Sequence, residues 1–258
     1  MDEIKRITCI IQARTDSTRL PNKVLKEIEN VPMIHHIINR IKESKKIDQI
    51  VLATTDNDSD KILLDIAKNL EIIGFAGEQD DVLGRFYDAA KLFSADPIIR
   101  ITGDCPLVDS DLLDIMIEIF LENEYDYVSN TIERTFPDGL DIEIFSFAAL
   151  KTAYQDAKWS SEREHVTPFF TKNKNLFNVY NYSNKHDLSH LRWCIDEESD
   201  LLMVKKIFHK MNDKKNFSTD DILELISKNP DISKINKDVK TNQGYEKSLS
   251  HDKLVHRE

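Results

Sequence analysis

The sequence predicts an α/β fold of three layers, with a mostly parallel sheet between two layers of helices. Two observations carry this. Short apolar runs rich in β-branched residues recur at 7–11, 50–55, 72–76 and 97–102. Between them lie segments whose apolar residues are spaced three and four apart. Strands that alternate with helices pair in parallel through crossover connections, and strands covered on both faces read as continuous apolar runs.

The elements follow in order. Residues 7–11 (ITCII) form a buried strand. Met33, Ile34, Ile37, Ile38 and Ile41 make one stripe of a helix. A second strand spans 50–55, a helix 61–69 and a third strand 72–76. Val82, Phe86, Ala89, Ala90 and Phe93 mark the next helix, and 97–102 the next strand, which runs into Gly103. Asp109, Ser110 and Asp111 stand ahead of an apolar helix at 112–121, where a short acceptor side chain caps free N–H groups and negative charge suits the dipole. Residues 125–129 read as another strand.

Beyond 130 the pattern loosens. The alternation GLDIEIF at 139–145 suggests a strand with one wet face, and 177–182 and 191–195 read as short strands. Helical spacing returns at Leu201, Val204, Ile207, Phe208 and Met211, and again from Ile222 to Ile226. The expected organisation is a single domain over 1–235, with a polar, loosely held tail over 236–258.

The 258 residues carry 35 Lys and Arg against 46 Asp and Glu, a net charge of −11. Such a balance argues against a nucleic-acid binder, though not against a local cationic site. Three scattered cysteines, Cys9, Cys105 and Cys194, indicate a reducing compartment without disulfides. No apolar run is long enough for a membrane span, and the N-terminus does not read as a signal peptide, so a cytoplasmic location is expected.

The chemistry concentrates after the first strand. Residues 12–23, QARTDSTRLPNK, hold Arg14, Arg19 and Lys23 with Thr15, Ser17 and Thr18 between them, and no glycine. This is neither a GxxxxGK[ST] loop nor a GxGxxG turn. In an open α/β sheet, ligands bind beyond the carboxyl ends of strands. The loop therefore reads either as an anion site built of Arg forks and a Lys point charge or as a solvated turn with ordinary cations. Asp104 follows a strand, and Asp196 follows 191–195. Both are hard oxygen donors suited to Mg²⁺, and both also fit turn or cap roles. Cys105 has no base near it in sequence and reads as a packing residue. Phe169 and Phe170 suit a core or a dimer contact.

The string 11–23, together with 31–33, 53–55, 80–85, 100–107, 137–143, 163–167 and 192–196, resembles the cytidylyltransferases that attach CMP to acidic sugars, the spore coat polysaccharide branch above all. The resemblance spans about residues 5–210. It implies a Rossmann-like nucleotidyltransferase fold, CTP and an acidic small-molecule acceptor as substrates, Mg²⁺ on Asp104 and Asp196, release of pyrophosphate, and no nucleic-acid or membrane partner. Arg14, Lys23 and Asp104 would be catalytic. Ala13, Arg14, Ser17, Arg19, Lys23, Asp81, Arg85 and Thr102 would bind the nucleotide, with Arg85 near the base. Asn130, Asp141, Glu143, Arg163 and His165 would face the acceptor, although Asp141 and Glu143 equally suit a wet strand face and His165 an ordinary packed histidine. A homodimer through 130–185 is expected from the same likeness. Other readings stay open at this point: an alcohol phosphate or phosphonate acceptor, a nucleotide-sugar glycosyltransferase using Asp56-Asn57-Asp58, or a non-catalytic nucleotide-binding module.

Overall fold

The computed structural model describes residues 5–214 and 216–255. Its elements in chain order are β1 (Arg6–Gln12), the hairpin β2 (Glu27–Ile28) and β3 (Val31–Pro32), α1 (Met33–Ile41), β4 (Gln49–Thr55), α2 (Lys61–Asn69), β5 (Ile73–Gly77), α3 (Val82–Leu92) and β6 (Ala95–Thr102). Then come α4 (Ser110–Glu122), β7 (Tyr127–Ser129), β8 (Glu143–Phe145), α5 (Phe147–Asp156), α6 (Ser160–His165), α7 (Pro168–Lys172) and β9 (Val179–Asn181). The chain continues with α8 (Glu198–Lys210), α9 (Thr219–Lys228) and α10 (Gln243–Ser250).

Seven strands form one sheet in the order β5-β4-β1-β6-β8-β7-β9. Every pairing is parallel except those of β8, which runs against both β6 and β7. The strand order reverses at β1, whose Ile10 lies beside Val51 of β4 on one side and Arg100 of β6 on the other. The loop leaving β1 therefore emerges at the switch point of the sheet.

Side chains of β1 alternate between two cores, as a strand's period of two requires. Cys9 and Ile11 pack with α1, α4 and α8 through Ile34, Ile38, Met116, Ile117 and Val204. Ile10 faces the other way, onto Phe86 of α3, Leu150 of α5 and Phe170 of α7. This two-sided burial explains why β1 reads as an unbroken apolar run. Phe169 and Phe170 are core residues. Among the described residues, no helix is long and apolar enough to cross a membrane.

Three expectations change. The segment before Glu143 is not strand, and β8 is buried throughout, so the wet face is absent. Its polar positions are satisfied internally: Arg100 and the Tyr127 hydroxyl both donate to Glu143. Residues 191–195 do not form a strand. Arg192 makes an isolated bridge to Asp138, and the Asp138 carbonyl accepts from the N–H groups of Trp193 and Cys194. Gly139, at φ 113°, is what permits this approach, because a Cβ there would collide with the backbone of Trp193 and Cys194. The described part of the expected tail, 236–255, is also more structured than its composition suggests, while 256–258 lie outside the described residues. Asn236 is buried and donates to the Arg192 carbonyl and to Asp200, α10 packs on α6, and Asp252 accepts from Ser160 and Ser161. These anchors are side-chain hydrogen bonds, which hydropathy does not register.

Asp109 caps α4, accepting from the N–H groups of Asp111 and Leu112, and its second oxygen accepts from Thr219 N and Oγ1 at the start of α9. Asp109→Ala removes a cap and leaves two further donors unpaired, an expected loss of roughly 2–4 kcal/mol. Urea unfolding measures it; a loss below about 1 kcal/mol would mean that water replaces the carboxylate at both helix starts.

Candidate functional site

The loop after β1 is shaped without glycine. Ala13 continues the strand register by donating to Ala53 O at 3.1 Å. Asp60, 1% exposed, then holds the turn: its Oδ1 accepts from Thr15 N at 2.7 Å and Thr15 Oγ1 at 2.6 Å, while Oδ2 accepts from Thr55 Oγ1 at 2.5 Å. Leu20 is buried beneath the loop, and Asn22 takes a left-handed conformation at φ 55°, delivering Lys23 into a 3-10 turn. From the neighbouring strand end, Gly103 N donates to Gln12 O at 2.8 Å, and a Cβ on Gly103 would stand 2.9 Å from both Ala13 Cβ and Gln12 O. The absent side chain lets the end of β6 lie directly against the loop.

That contact brings the chemistry together. Lys23 Nζ lies 2.7 Å from Asp104 Oδ2 and 2.9 Å from Asp196 Oδ1, and also donates to the Ile195 carbonyl at 3.2 Å. Arg19 reaches Asp196 Oδ1 at 2.9 Å. Burial works against the Lys23 charge, but the two carboxylates outweigh it and hold the ammonium above the ordinary lysine range. Burial likewise opposes the charge on Asp104, yet Lys23, with help from Thr102, keeps that carboxyl well below its usual range. Thr102 Oγ1 donates to Asp104 Oδ1 at 2.6 Å.

Asp196 is fixed from its other side. Arg192 donates to Asp196 Oδ2 at 2.8 Å, Asp138 Oδ2 at 2.8 Å and Asp200 Oδ1 at 3.0 Å. Asp200, fully buried, caps the start of α8 by accepting from the N–H groups of Asp196 and Glu197. Arg134 holds Asp141 with two bonds, at 2.5 and 2.7 Å. Burial pushes the Cys105 thiol well above its usual range, and the charge of Asp104 adds to this, as suits a packing residue.

Other candidates are spread around this centre. Ser17 lies half-buried in the loop and Arg14 is exposed beside it. Arg85 is 4% exposed, its NH1 donates to Glu78 O at 3.2 Å, and its Nε has no partner among the described residues. Burial, then the charge of Arg14, lowers Arg85 to about 10, so it remains a cation at neutral pH. Asp81 caps α3 and takes a forked pair from Arg163. Asn130 is buried between the Leu140 carbonyl and the Ile142 N–H. His165 meets Ser248 at 2.9 Å and the Tyr245 ring edge-on, and burial lowers its pKa. Asp58 pairs with Lys61 at the surface, so Asp56-Asn57-Asp58 marks an exposed turn. Asp60, Arg192 and Asp200 are absent from the sequence-level candidates. Arg192 stands four residues before Asp196, the one hint available, whereas nothing distinguishes Asp60 from its acidic neighbours.

The donor set fits a hard divalent ion. Asp104 and Asp196 converge on a point already holding one cation, and Mg²⁺ characteristically takes one or two carboxylates with the rest from substrate phosphates and water. Among the described residues, no group of three or more His, Cys, Asp and Glu is arranged to hold a metal.

Residues 8–247 match the model of the cytidylyltransferase family. The spore coat polysaccharide biosynthesis protein SpsF of Bacillus subtilis is 30% identical over 88% of this chain and 96% of its own. A 3-deoxy-manno-octulosonate cytidylyltransferase of Thermodesulfovibrio yellowstonii is 26% identical over 68% of this chain and 74% of its own. The structure of a cytidylyltransferase from Leptospira borgpetersenii is similar at a TM-score of 0.86 and 36% identity, covering 89% of this chain and 97% of that one.

A carboxyl whose folded pKa lies below its unfolded value stabilises the fold above the unfolded value and loses that contribution as pH falls toward the folded one. For Asp104 the unfolded reference is 3.8 and the folded value is lower. The gap in melting temperature between the parent and Asp104→Asn is therefore expected to hold steady from about pH 8 to pH 5 and to narrow from about pH 4 to pH 3. Calorimetry across that series measures it; a gap that keeps its full width at the acid end would count against the Lys23–Asp104 pair.

Proposed function

We propose that this chain, which belongs to the cytidylyltransferase family, transfers CMP from CTP to the hydroxyl of an acidic sugar and releases pyrophosphate, serving the synthesis of a surface glycan. The observation that carries the reading is the meeting of Lys23 with Asp104 and Asp196 at the mouth of a cationic, glycine-free loop. The cytidylyl part rests on the family. The sugar acid rests on the names of the octulosonate enzymes and of SpsF.

In this reading the triphosphate lies across the loop, gripped by the forks of Arg14 and Arg19 and the ammonium of Lys23, with Ala13, Ser17 and Thr102 beside it. Arg85 spends its unpartnered Nε on the base, and Asp81 keeps α3 in place beneath the ribose. Mg²⁺, on Asp104 and Asp196, would supply the charge that neutralises the phosphates as the bond breaks. The acceptor oxygen forms a bond to the α-phosphorus, the bond to the bridging oxygen of the β-phosphate breaks, and the electron pair leaves with pyrophosphate. The hydroxyl proton passes to water. Both oxygens of Asp196 already accept from cations, so it serves as an electrostatic anchor rather than a free base. Positioning and fixed charge supply the rate. Two copies associate through the 130–185 segment, where Trp159 and Leu176 stand exposed.

Asp104→Ala is expected to lower CTP-dependent pyrophosphate release at least about a hundredfold, the scale of losing one pre-organised electrostatic contact. The assay pairs each of the four nucleoside triphosphates with 3-deoxy-manno-octulosonate and N-acetylneuraminate. Near-normal turnover in the variant would refute the assignment, and a preference for another nucleotide would refute CTP. Lys23→Ala should raise the CTP dissociation constant about tenfold. Isothermal titration tests this, and unchanged affinity would remove Lys23 from the phosphate site.

A further inference from the structure

The cations nearest the expected acceptor side are largely committed to partners. Arg100 is held by Glu143 and Gln12, Arg134 by Asp141, Arg163 by Asp81, and Arg192 by Asp138, Asp196 and Asp200. An acceptor carrying negative charge needs a cation that is still available, because displacing one of these pairs would strand a carboxylate.

Two such cations border a cavity of about 550 Å³ between residues 189–193, Met203 of α8 and the C-terminal segment. Seven of its thirteen lining residues come from 233–246, so this segment builds the cavity rather than bordering it. Lys237 and Lys240 are among the seven, and among the described residues neither enters an ion pair. The other titratable groups on the lining are His190, Glu246 and Arg192. The volume is that of a small-molecule site.

The C-terminal segment is fastened at both ends. At one end Asn236 donates to the Arg192 carbonyl at 3.0 Å and to Asp200 Oδ1 at 2.8 Å. At the other, Val255 N donates to Lys158 O at 2.8 Å and Asp252 accepts from Ser160 and Ser161. Between the anchors, Ser248 of α10 meets His165, and Tyr245 lies against the same ring. Arg192 links the cavity to the cationic loop: it is among the lining residues and pairs with Asp196 at 2.8 Å, and Asp196 in turn meets Lys23 at 2.9 Å.

We propose that this cavity receives the anionic group of the acceptor, with Lys237 and Lys240 as its counter-charges and the C-terminal strap as its specificity wall. The inference rests on the cytidylyl-transfer reading and extends it to the acceptor. The shared chemistry is a compact anion on a small polar molecule, supplied by a sugar carboxylate or by an alcohol phosphate.

Trp193 lines the cavity and is one of two tryptophans, so Trp159→Phe leaves it as the sole reporter. In that background, with CTP and Mg²⁺ omitted to prevent turnover, 3-deoxy-manno-octulosonate, its carboxamide and glycerol 3-phosphate are titrated by fluorescence. The expected result is a saturable change with one of the anions and none with the carboxamide. Response to the sugar acid assigns the carboxylate, and response to glycerol 3-phosphate assigns the phosphate. The pair Lys237→Ala with Lys240→Ala should raise that dissociation constant, and the KM for the same acceptor, at least tenfold. Titrated CTP affinity should stay within twofold, and Lys237→Arg with Lys240→Arg should restore acceptor binding. Unchanged acceptor affinity and KM in the alanine pair, with turnover intact, would overturn the proposal. Failure of the unsubstituted chain to bind CTP would instead overturn the reading beneath it.

Discussion

One ammonium group ties the site together. Lys23 belongs to the loop after β1, Asp104 to the end of β6, and Asp196 to the segment leading into α8, and the three meet within 2.9 Å. Without the cation, two carboxylates at the rim of a chain with net charge −11 would repel each other, and the loop would lose its link to the strand end. The same arrangement predisposes the place to positive charge. On the proposed reading, a divalent ion with a triphosphate would be an electrostatic substitution there: the carboxylates would keep a cation and the ammonium would gain phosphate oxygens, so that one interaction would serve both site assembly and substrate recognition.

The loop after β1 is shaped without glycine, unlike the turns that usually bind phosphate. Glycine-rich loops bring backbone close to phosphates by having no side chains in the way. Here the turn is fixed from below instead, by the buried carboxylate of Asp60 gripping Thr15 and Thr55, and by Leu20 packed beneath. The close approach that glycine provides is moved to the neighbouring strand at Gly103. Long cationic side chains then rise from a stiff base, which suits recognition by Arg and Lys rather than by backbone N–H groups.

The layered architecture was legible because burial on both faces leaves a strong mark. Residues 61–69 appear as the helix their spacing implies, and Asp109 caps the helix it precedes. The cationic loop stands out in the sequence because three cations follow a buried strand in an acidic chain, and the structure brings two of them, Arg19 and Lys23, to Asp196. Asp60 and Asn236 left no such mark, and Arg192 only its spacing to Asp196, since each also acts through a partner far away in sequence, Thr15, Arg192 and Asp138 respectively for Asp60, Asn236 and Arg192. Glu143 shows the limit most clearly. Its place in an alternating run signals solvent, yet Arg100 and Tyr127 satisfy it in the interior, and no periodicity separates a polar residue facing water from one facing a buried counter-charge. The C-terminal strap is hidden for the same reason, being held by hydrogen bonds and not by aliphatic burial.

Arg192 gives the arrangement a further consequence. It is among the residues that line the strap cavity, and its guanidinium serves Asp138, Asp196 and Asp200 at once. A buried cation so shared cannot move toward a new anion without loosening its hold on the others, and each loosened carboxylate would be costly. An acceptor anion drawn to the cavity therefore meets a wall that resists reorganisation, while Lys237 and Lys240 on the strap stay available to adjust. On the proposed reading, the rigid half of the pocket would preserve the geometry of Asp196 while the adaptable half would accommodate the acceptor anion, and Arg192, shared by both, would couple the two halves through its fixed carboxylates.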